Sequence, residues 1–281
     1  MSPHKKNKNL DMGKHNDKER AGLGVILGRG MKQYHTGLGV GDVGKVVLLP
    51  GSPERVPEMA KYLEDAREVA HHREFCAWTG RYGGEVVSIV STGIGGPSAA
   101  IAVEELAALG VTTFIRTGTC GLLQASMRRG TLVVVTGSVR GGGTTQAYVP
   151  TAYPAVADYR VVAALVEAAR KRGAVCEAGI SECKDAFYLE VPECLPLEKA
   201  ARERWEIWRR AGVMATEMES DTVLVVAGLR GARAGSVLLG LGGCGGPDDM
   251  EPMNARELEL LTCTALDAVV RLACAERDGA G

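Results

Sequence analysis

Residues 115–121 read I-R-T-G-T-C-G, directly after the strand-forming run V-T-T-F (111–114). An arginine at the mouth of a turn built from Gly, Thr and Cys is not core filler. Three readings suit it: a grip for an anion, a home for a cysteine nucleophile, or a tight corner. Two further apolar runs end in the same way, L-L-P-G-S-P-E-R (48–55) and S-T-G-I-G-G-P-S (91–98). Glycine lets backbone N–H groups approach an anion closely, and such turns form nests for one. The planar fork of an arginine then holds two oxygens at once. Each glycine taken alone is explained by a tight turn; three together, two of them bearing Arg55 and Arg116, favour an anion site. Open α/β sheets collect their ligands where strands end. Neither G-x-x-x-x-G-K-[ST] nor a strand-bound G-x-G-x-x-G is present, so these are not the common nucleotide loops. No histidine stands in an obvious sequence relation to Cys120, which favours a bystander cysteine over a nucleophile.

T-E-M-E-S (216–220) places two carboxylates at i and i+2. On a strand they share a face; at a strand–helix junction they can converge on a polar ligand such as a ribose. A solvated pair at a helix start, where acids suit the dipole, is the competing reading. His71 and His72 are too few for a metal centre, and either they or His35 read on their own as surface residues.

These residues need a scaffold. The chain has 281 residues, 46% of them apolar, and a net charge of −1. That is enough for a buried core, and the balanced charge argues against a nucleic-acid binder. No apolar run reaches the ~18 residues of a membrane span. The eight cysteines form neither C-x-x-C pairs nor zinc spacings with histidine, which points to reduced thiols and a cytoplasmic setting. Residues 1–32 are polar and Lys-rich, without periodicity, and are expected to be a disordered extension. A single domain is expected over 33–277, with a short tail at 278–281. Buried strands are expected at 45–50, 111–116, 131–137 and 236–241. A hairpin is expected around Gly83-Gly84. Helices are expected over 98–110 (Ser98 as N-cap, Gly110 as stop), 160–173, 220–230, and from Asn254 to about Cys274 with Glu257 in a capping box. Residues 190–210 read as an irregular flap ending in a helix. Strands alternating with helices mean an α/β sheet covered on both faces.

Taken together, H-R-E-F (72–75), S-T-G-I-G-G-P-S, A-V-E-E-L (102–106), G-T-C-G, P-A-V-A-D (154–158) and G-V-M-A-T-E-M-E-S (212–220) closely resemble the nucleoside phosphorylases of the uridine phosphorylase type, in order and spacing, over about residues 34–275. The resemblance implies one α/β domain whose central mixed sheet partly closes into a barrel flanked by helices. It implies phosphorolysis: phosphate attacks C1′ of a nucleoside and the base departs, with no organic cofactor. It assigns phosphate to Gly51, Arg55, Arg116 and Thr119, with Arg73 lent by a neighbouring subunit. His35, similarly lent, lies near the sugar's 5′ hydroxyl. Thr92, Glu217, Met218 and Glu219 fall to the ribose, with Glu219 on the 2′ and 3′ hydroxyls. Cys120, Gly121, Phe187 and Glu190 fall to the base end. Arg55, Arg116 and Glu219 carry the catalysis. A potassium ion is implied at Glu74, Ile94 and Ser98, and a homodimer or larger homo-oligomer with shared sites. The base end departs from the family pattern. Glu190, Val191 and Glu193 stand where Gly, Gln and Arg are expected, Cys244 stands where a further Arg is expected, and the S-D-H of the purine branch is missing.

Overall fold

A computed structural model of the chain describes residues 32–190, 192–243 and 251–279. Residues 1–31 of the extension expected over 1–32, and the departures at Val191 and Cys244, lie outside these residues.

The chain opens with β1 (Val46–Leu49), a short helix α1 (Arg55–Ala60), and the antiparallel strands β2 (Glu64–His72), β3 (Phe75–Tyr82) and β4 (Glu85–Val90). Gly83 and Gly84 both take positive φ between β3 and β4, as the two-residue hairpin requires. Helix α2 (Gly96–Ala108), β5 (Thr113–Leu122), β6 (Leu132–Arg140), α3 (Thr144–Tyr148), β7 (Ala155–Val156), α4 (Tyr159–Lys171) and β8 (Cys176–Cys183) follow. A 3₁₀ turn (Phe187–Glu190) leads to α5 (Glu198–Arg210), β9 (Ala215–Glu217), α6 (Ser220–Leu229), β10 (Arg233–Gly243) and α7 (Ala255–Gly279).

The strands form one mixed sheet in the order β10-β6-β8-β9-β5-β1-β4-β3-β2, with β7 beside β6. A further pairing of β10 with β5 closes β5, β10, β6, β8 and β9 into a five-stranded barrel. The partly closed sheet that the family resemblance implies is therefore present. Both faces are covered, which explains the unbroken apolar strand runs. Along β1, Val47 and Leu49 join one core with α2 and α6, while Leu48 joins the other with α1, α4 and α7. Phe114 and Ile115 of β5 divide between the two cores in the same way. Ser220 to Ala227 of α6 are all buried, as befits a helix apolar nearly all round.

Two expectations are corrected. The stretch 115–121 is not a turn: β5 runs through it, paired with β10 from Thr113 to Leu122 and with β1 along its first half. With β10 paired along its whole length and β1 up to Arg116, the backbone stays extended, and Gly118 serves a different purpose, described below. Ser98 does not cap α2. The helix starts two residues earlier, after Gly95 with φ +88°, and Ser98 Oγ bonds Glu74 Oε1 (2.9 Å) and the Thr92 carbonyl (2.5 Å). The other end ends as expected, with Gly110 at φ +93°. The capping box of α7 also forms: Asn254 N–H donates to Glu257 (2.9 Å) and Glu257 N–H to Asn254 Oδ1 (3.0 Å). Its helix runs on past Cys274 to Gly279. At 190–210 the turn and α5 pack together, with Trp205 Nε1 donating to the Leu189 carbonyl (3.3 Å).

Candidate active site

Arg116 leaves β5 on the same side as Gly118, two residues along the strand. A Cβ at Gly118 would lie 2.7 Å from Arg116 Nη2 and 2.8 Å from its Cζ. The missing side chain is thus the space in which the guanidinium lies. Arg116 is only 4% exposed. Its Nε donates to Glu217 Oε2 (3.0 Å), and its Nη2 pairs with Glu219 Oε2. Nη1 is buried with no hydrogen-bond partner. That atom faces Gly51, where an added Cβ would stand 3.8 Å from it. Burial alone would favour the neutral guanidine, but Glu219 and Glu217 outweigh it and raise the pKa of Arg116.

The T-E-M-E-S pair does converge, at the junction of β9 and α6. Glu217 accepts from the N–H groups of Glu219 (3.0 Å) and Ser220 (2.9 Å) as well as from Arg116. It therefore sits at a helix start, as the competing reading had it, but buried rather than solvated. Glu219 Oε1 accepts from the Gly95 N–H (2.6 Å), at the start of α2. Burial raises the pKa of Glu219, Glu217 adds to this, and Arg116 opposes it. Arg55, at the head of α1, is partly buried and makes no ion pair among the described residues. Burial and the nearby Arg116 lower its pKa, and Glu219 partly restores it.

These groups open onto one cavity of about 580 Å³, within the size of small-molecule sites. Gly51, Arg55, Arg116 and Thr119 line it, as do Glu217, Met218, Glu219, Cys120, Gly121, Phe187 and Glu190, and Glu74, Ile94 and Ser98 border the same space. Cys120 is buried. Three residues expected at the site do not border this cavity. Thr92 is fully buried behind its wall, its hydroxyl donating to the Gly93 carbonyl (3.0 Å). His35 Nδ1 lies 2.7 Å from Glu105 Oε1, and the His35 carbonyl meets His72 Nδ1 at 2.7 Å. Arg73 is exposed at the β2–β3 turn with φ +56°, an uncommon conformation for a residue with a side chain. Glu68, His71 and Cys76 approach one another within 4.8 Å on the same hairpin, also off the cavity.

One cavity residue is missed by the sequence reading. Lys184 follows β8 directly, is 4% exposed, and lines the cavity. Its signal in the sequence was its place at a strand's carboxyl end, in E-C-K-D-A-F-Y; its residue type, usually a surface one, hid it.

Residues 45–271 match the phosphorylase superfamily. This chain belongs to the phosphorylase superfamily. Among its relatives in that superfamily, the uridine phosphorylase of Treponema pallidum is 42% identical over 211 residues, 75% of this chain and 82% of that one. The guanosine phosphorylase of Halorubrum lacusprofundi is 42% identical over 206 residues, 73% of this chain and 81% of that one. The superfamily fold is also that of the crystal structure of uridine phosphorylase from Vibrio fischeri, which superposes with a TM-score of 0.77 at 28% identity over 86% of this chain and 98% of that one. No helix among the described residues is long and apolar enough to cross a membrane.

Proposed function

We propose that this enzyme cleaves the N-glycosidic bond of a nucleoside with inorganic phosphate, in nucleoside salvage. A phosphate oxygen forms the new bond to C1′, the C1′–N bond breaks, and its electron pair leaves with the base. The products are free base and a pentose 1-phosphate, with uridine the first choice of substrate. The observation that carries this reading is the Arg116 guanidinium. Two of its nitrogens are held by Glu217 and Glu219, and the third, buried and unpartnered, is aimed at the glycine turn that also bears Arg55. A preorganised donor of this kind grips an anion at no further reorganisation cost. Glu219, beside it, is the acceptor for ribose hydroxyls, so phosphate and sugar are held as neighbours. Glu217 orients Arg116, and Thr119, Met218 and Gly51 complete this wall.

Charge balance supports a shared site. Within one chain Arg55 and Arg116 are matched by Glu217 and Glu219, so a phosphate dianion enters a locally neutral cluster. A further cation is needed, and Arg73, exposed and off its own cavity, is free to supply it to a neighbouring copy, with His35 beside it. We assign the chain to a homo-oligomer on that ground. Glu74, Ser98 and the Ile94 backbone offer the hard oxygens an alkali cation takes, and would hold potassium at the edge of the same space.

The relatives at 42% identity carry two different substrates in their names, uridine and guanosine. A guanosine-type activity is therefore the second reading. A nucleoside panel, incubated with and without phosphate and followed for free base, tests both. Release should require phosphate, and uridine should lead. Base release that proceeds equally well without phosphate rejects the proposal; faster turnover of guanosine than of uridine selects the second reading.

A further inference from the structure

We propose that Glu68, His71 and Cys76 form a site for a divalent cation of the zinc class at the neck of the β2–β3 hairpin, outside the cavity. The site goes beyond the phosphorolysis reading and does not rest on it.

His71 and His72 are too few for a metal centre by themselves, but the fold brings two more ligands to His71. In the register of the hairpin His71 stands directly opposite Cys76, and facing residues of an antiparallel pair have Cβ atoms about 4.5–5.5 Å apart. Glu68, three residues before His71, belongs on the other side of a regular strand. The register slips just there: Glu68 faces Trp78, yet Ala70 faces Ala77. The extra residue is a bulge, and it reverses the alternation. Glu68 and His71 therefore stand opposite Trp78 and Cys76, which are two apart on β3 and so share a face.

The three ligand atoms all lie within 4.8 Å of one another, with Glu68 Oε1 3.7 Å from His71 Nδ1. That separation is too long for a hydrogen bond and close to what an ion asks for. A tetrahedral Zn²⁺ with ligands at about 2.0–2.3 Å spaces them roughly 3.3–3.6 Å apart. His72 takes no part, since its Nδ1 meets the His35 carbonyl at 2.7 Å.

The donor set selects the metal. A thiolate, an imidazole and a carboxylate suit Zn²⁺, whereas Mg²⁺ and Ca²⁺ take oxygen ligands. Three protein ligands leave the fourth position to water. Cys76 is 3% exposed, and its N–H donates to Ser91 Oγ (2.8 Å), so it forms a fixed floor. The side chains of Glu68 and His71 are 47% and 56% exposed. The ion thus enters from solvent, and these two close over it. As the Cys76 sulfur bonds the metal, its thiol proton is released to solvent. Strand β2 ends the sheet and is paired only with β3. A cation across the neck is a second tie for that edge strand, and off the cavity it acts as a brace. A chance grouping of exposed Glu and His beside a core cysteine predicts no stoichiometric binding, which separates the two accounts.

The test titrates the full chain, without a histidine tag and in thiol-free buffer under nitrogen, with Co²⁺ and then Zn²⁺. Co²⁺ should bind with visible bands of tetrahedral geometry and a near-ultraviolet thiolate-to-cobalt charge-transfer band, and Zn²⁺ should displace it. C76S should lose the charge-transfer band. H71A and E68Q should bind Zn²⁺ at least about 10- to 100-fold more weakly, the loss seen when a residue that merely supports a ligand is removed. H72A should bind like the wild type. Zn²⁺ should raise the Tm of the wild type but not that of H71A. H71A and E68Q alter exposed side chains, so they decide the matter even where C76S does not fold. Absence of the charge-transfer band at saturating Co²⁺ overturns the inference. So does a band of full intensity in C76S, and so does Zn²⁺ binding by H71A and E68Q as tight as by the wild type.

Discussion

Replacing Gly118 by alanine tests the placement of Arg116 more sharply than removing the arginine does. The added methyl would stand 2.7 Å from Nη2, 2.8 Å from Cζ and 3.0 Å from Leu238 Cδ2. Comfortable contact begins near ~3.5 Å, so the guanidinium must withdraw by roughly 0.7 Å. It cannot do so freely, because Glu217 and Glu219 hold two of its nitrogens. The strand yields little, since β5 is paired with β10 through Gly118 and with β1 up to Arg116. Overpacking of this kind costs about 1–3 kcal/mol, which lowers Tm by about 2–12 °C in a chain of this size. The free Nη1 moves with the rest of the group. A displacement approaching 1 Å costs up to about 100-fold in rate, so kcat/KM for phosphate should fall by roughly 10- to 100-fold. Arg116→Ala, which deletes the donor, sets the floor at about 10²- to 10³-fold.

Gly51→Ala is the matched control. A Cβ there meets the Gly93 carbonyl at 3.5 Å and Arg116 Nη1 at 3.8 Å, both ordinary contacts. This variant should melt like the wild type yet bind phosphate more weakly, because the methyl occupies the space in front of Nη1. Thermal melts and steady-state kinetics with phosphate varied distinguish the two glycines. A Gly118→Ala enzyme with wild-type KM for phosphate and wild-type kcat would refute the placement of the anion at Nη1.

Two further outcomes follow. Asp221, 1% exposed on α6 and bonded by Thr222 Oγ1 (2.9 Å), has its pKa raised by burial from 3.8 to about 6. A folded-state value above the unfolded one means that stability is lost as pH rises between about 4 and 6, by about 3 kcal/mol in all; Asp221→Asn should therefore raise Tm at pH 8 more than at pH 4, and an equal change at both would count against this account. If Arg73 serves a neighbouring copy, mixing inactive Arg73→Ala and Glu219→Ala proteins should restore one site of the two in each mixed dimer, about a quarter of all sites under random equimolar assembly, and confirmed mixed oligomers without activity would rule that sharing out.

Much of the frame is legible in the residues. K-V-V-L-L, V-T-T-F-I and S-V-L-L-G-L are apolar on both strand faces, and β1 indeed feeds both cores. The Asn254/Glu257 box and the Gly83-Gly84 hairpin are local rules obeyed locally, so they can be read without tertiary knowledge. Glycines are where reading stops short. A glycine announces that a side chain is unwelcome, not why. At Gly93 there are two reasons: φ is +70°, and a Cβ would lie 2.7 Å from both Glu74 Cγ and Ser98 Oγ. At Gly118 the reason is space for a side chain two residues away, within an extended strand. Turn chemistry was the reasonable expectation there, and only the pairing of β5 with β10 overrides it. Lys184 escapes for a similar cause. Its burial is created by Thr216, Glu190 and Trp205, from three separate segments, and no local pattern contains them.

The arrangement of charge gives the site its logic. Glu217 cannot be spared for a substrate, because it caps α6 and holds Arg116 at once. Glu219 pairs with Arg116 and accepts from the Gly95 N–H, so its charge is matched before any anion arrives. The cluster is thereby poised near zero charge, with one directed donor in reserve. If the proposed sharing of Arg73 holds, phosphate binding hinges on that cation from a neighbouring copy, and full affinity comes only on assembly, which couples oligomerisation to activity through electrostatics rather than through a change of shape.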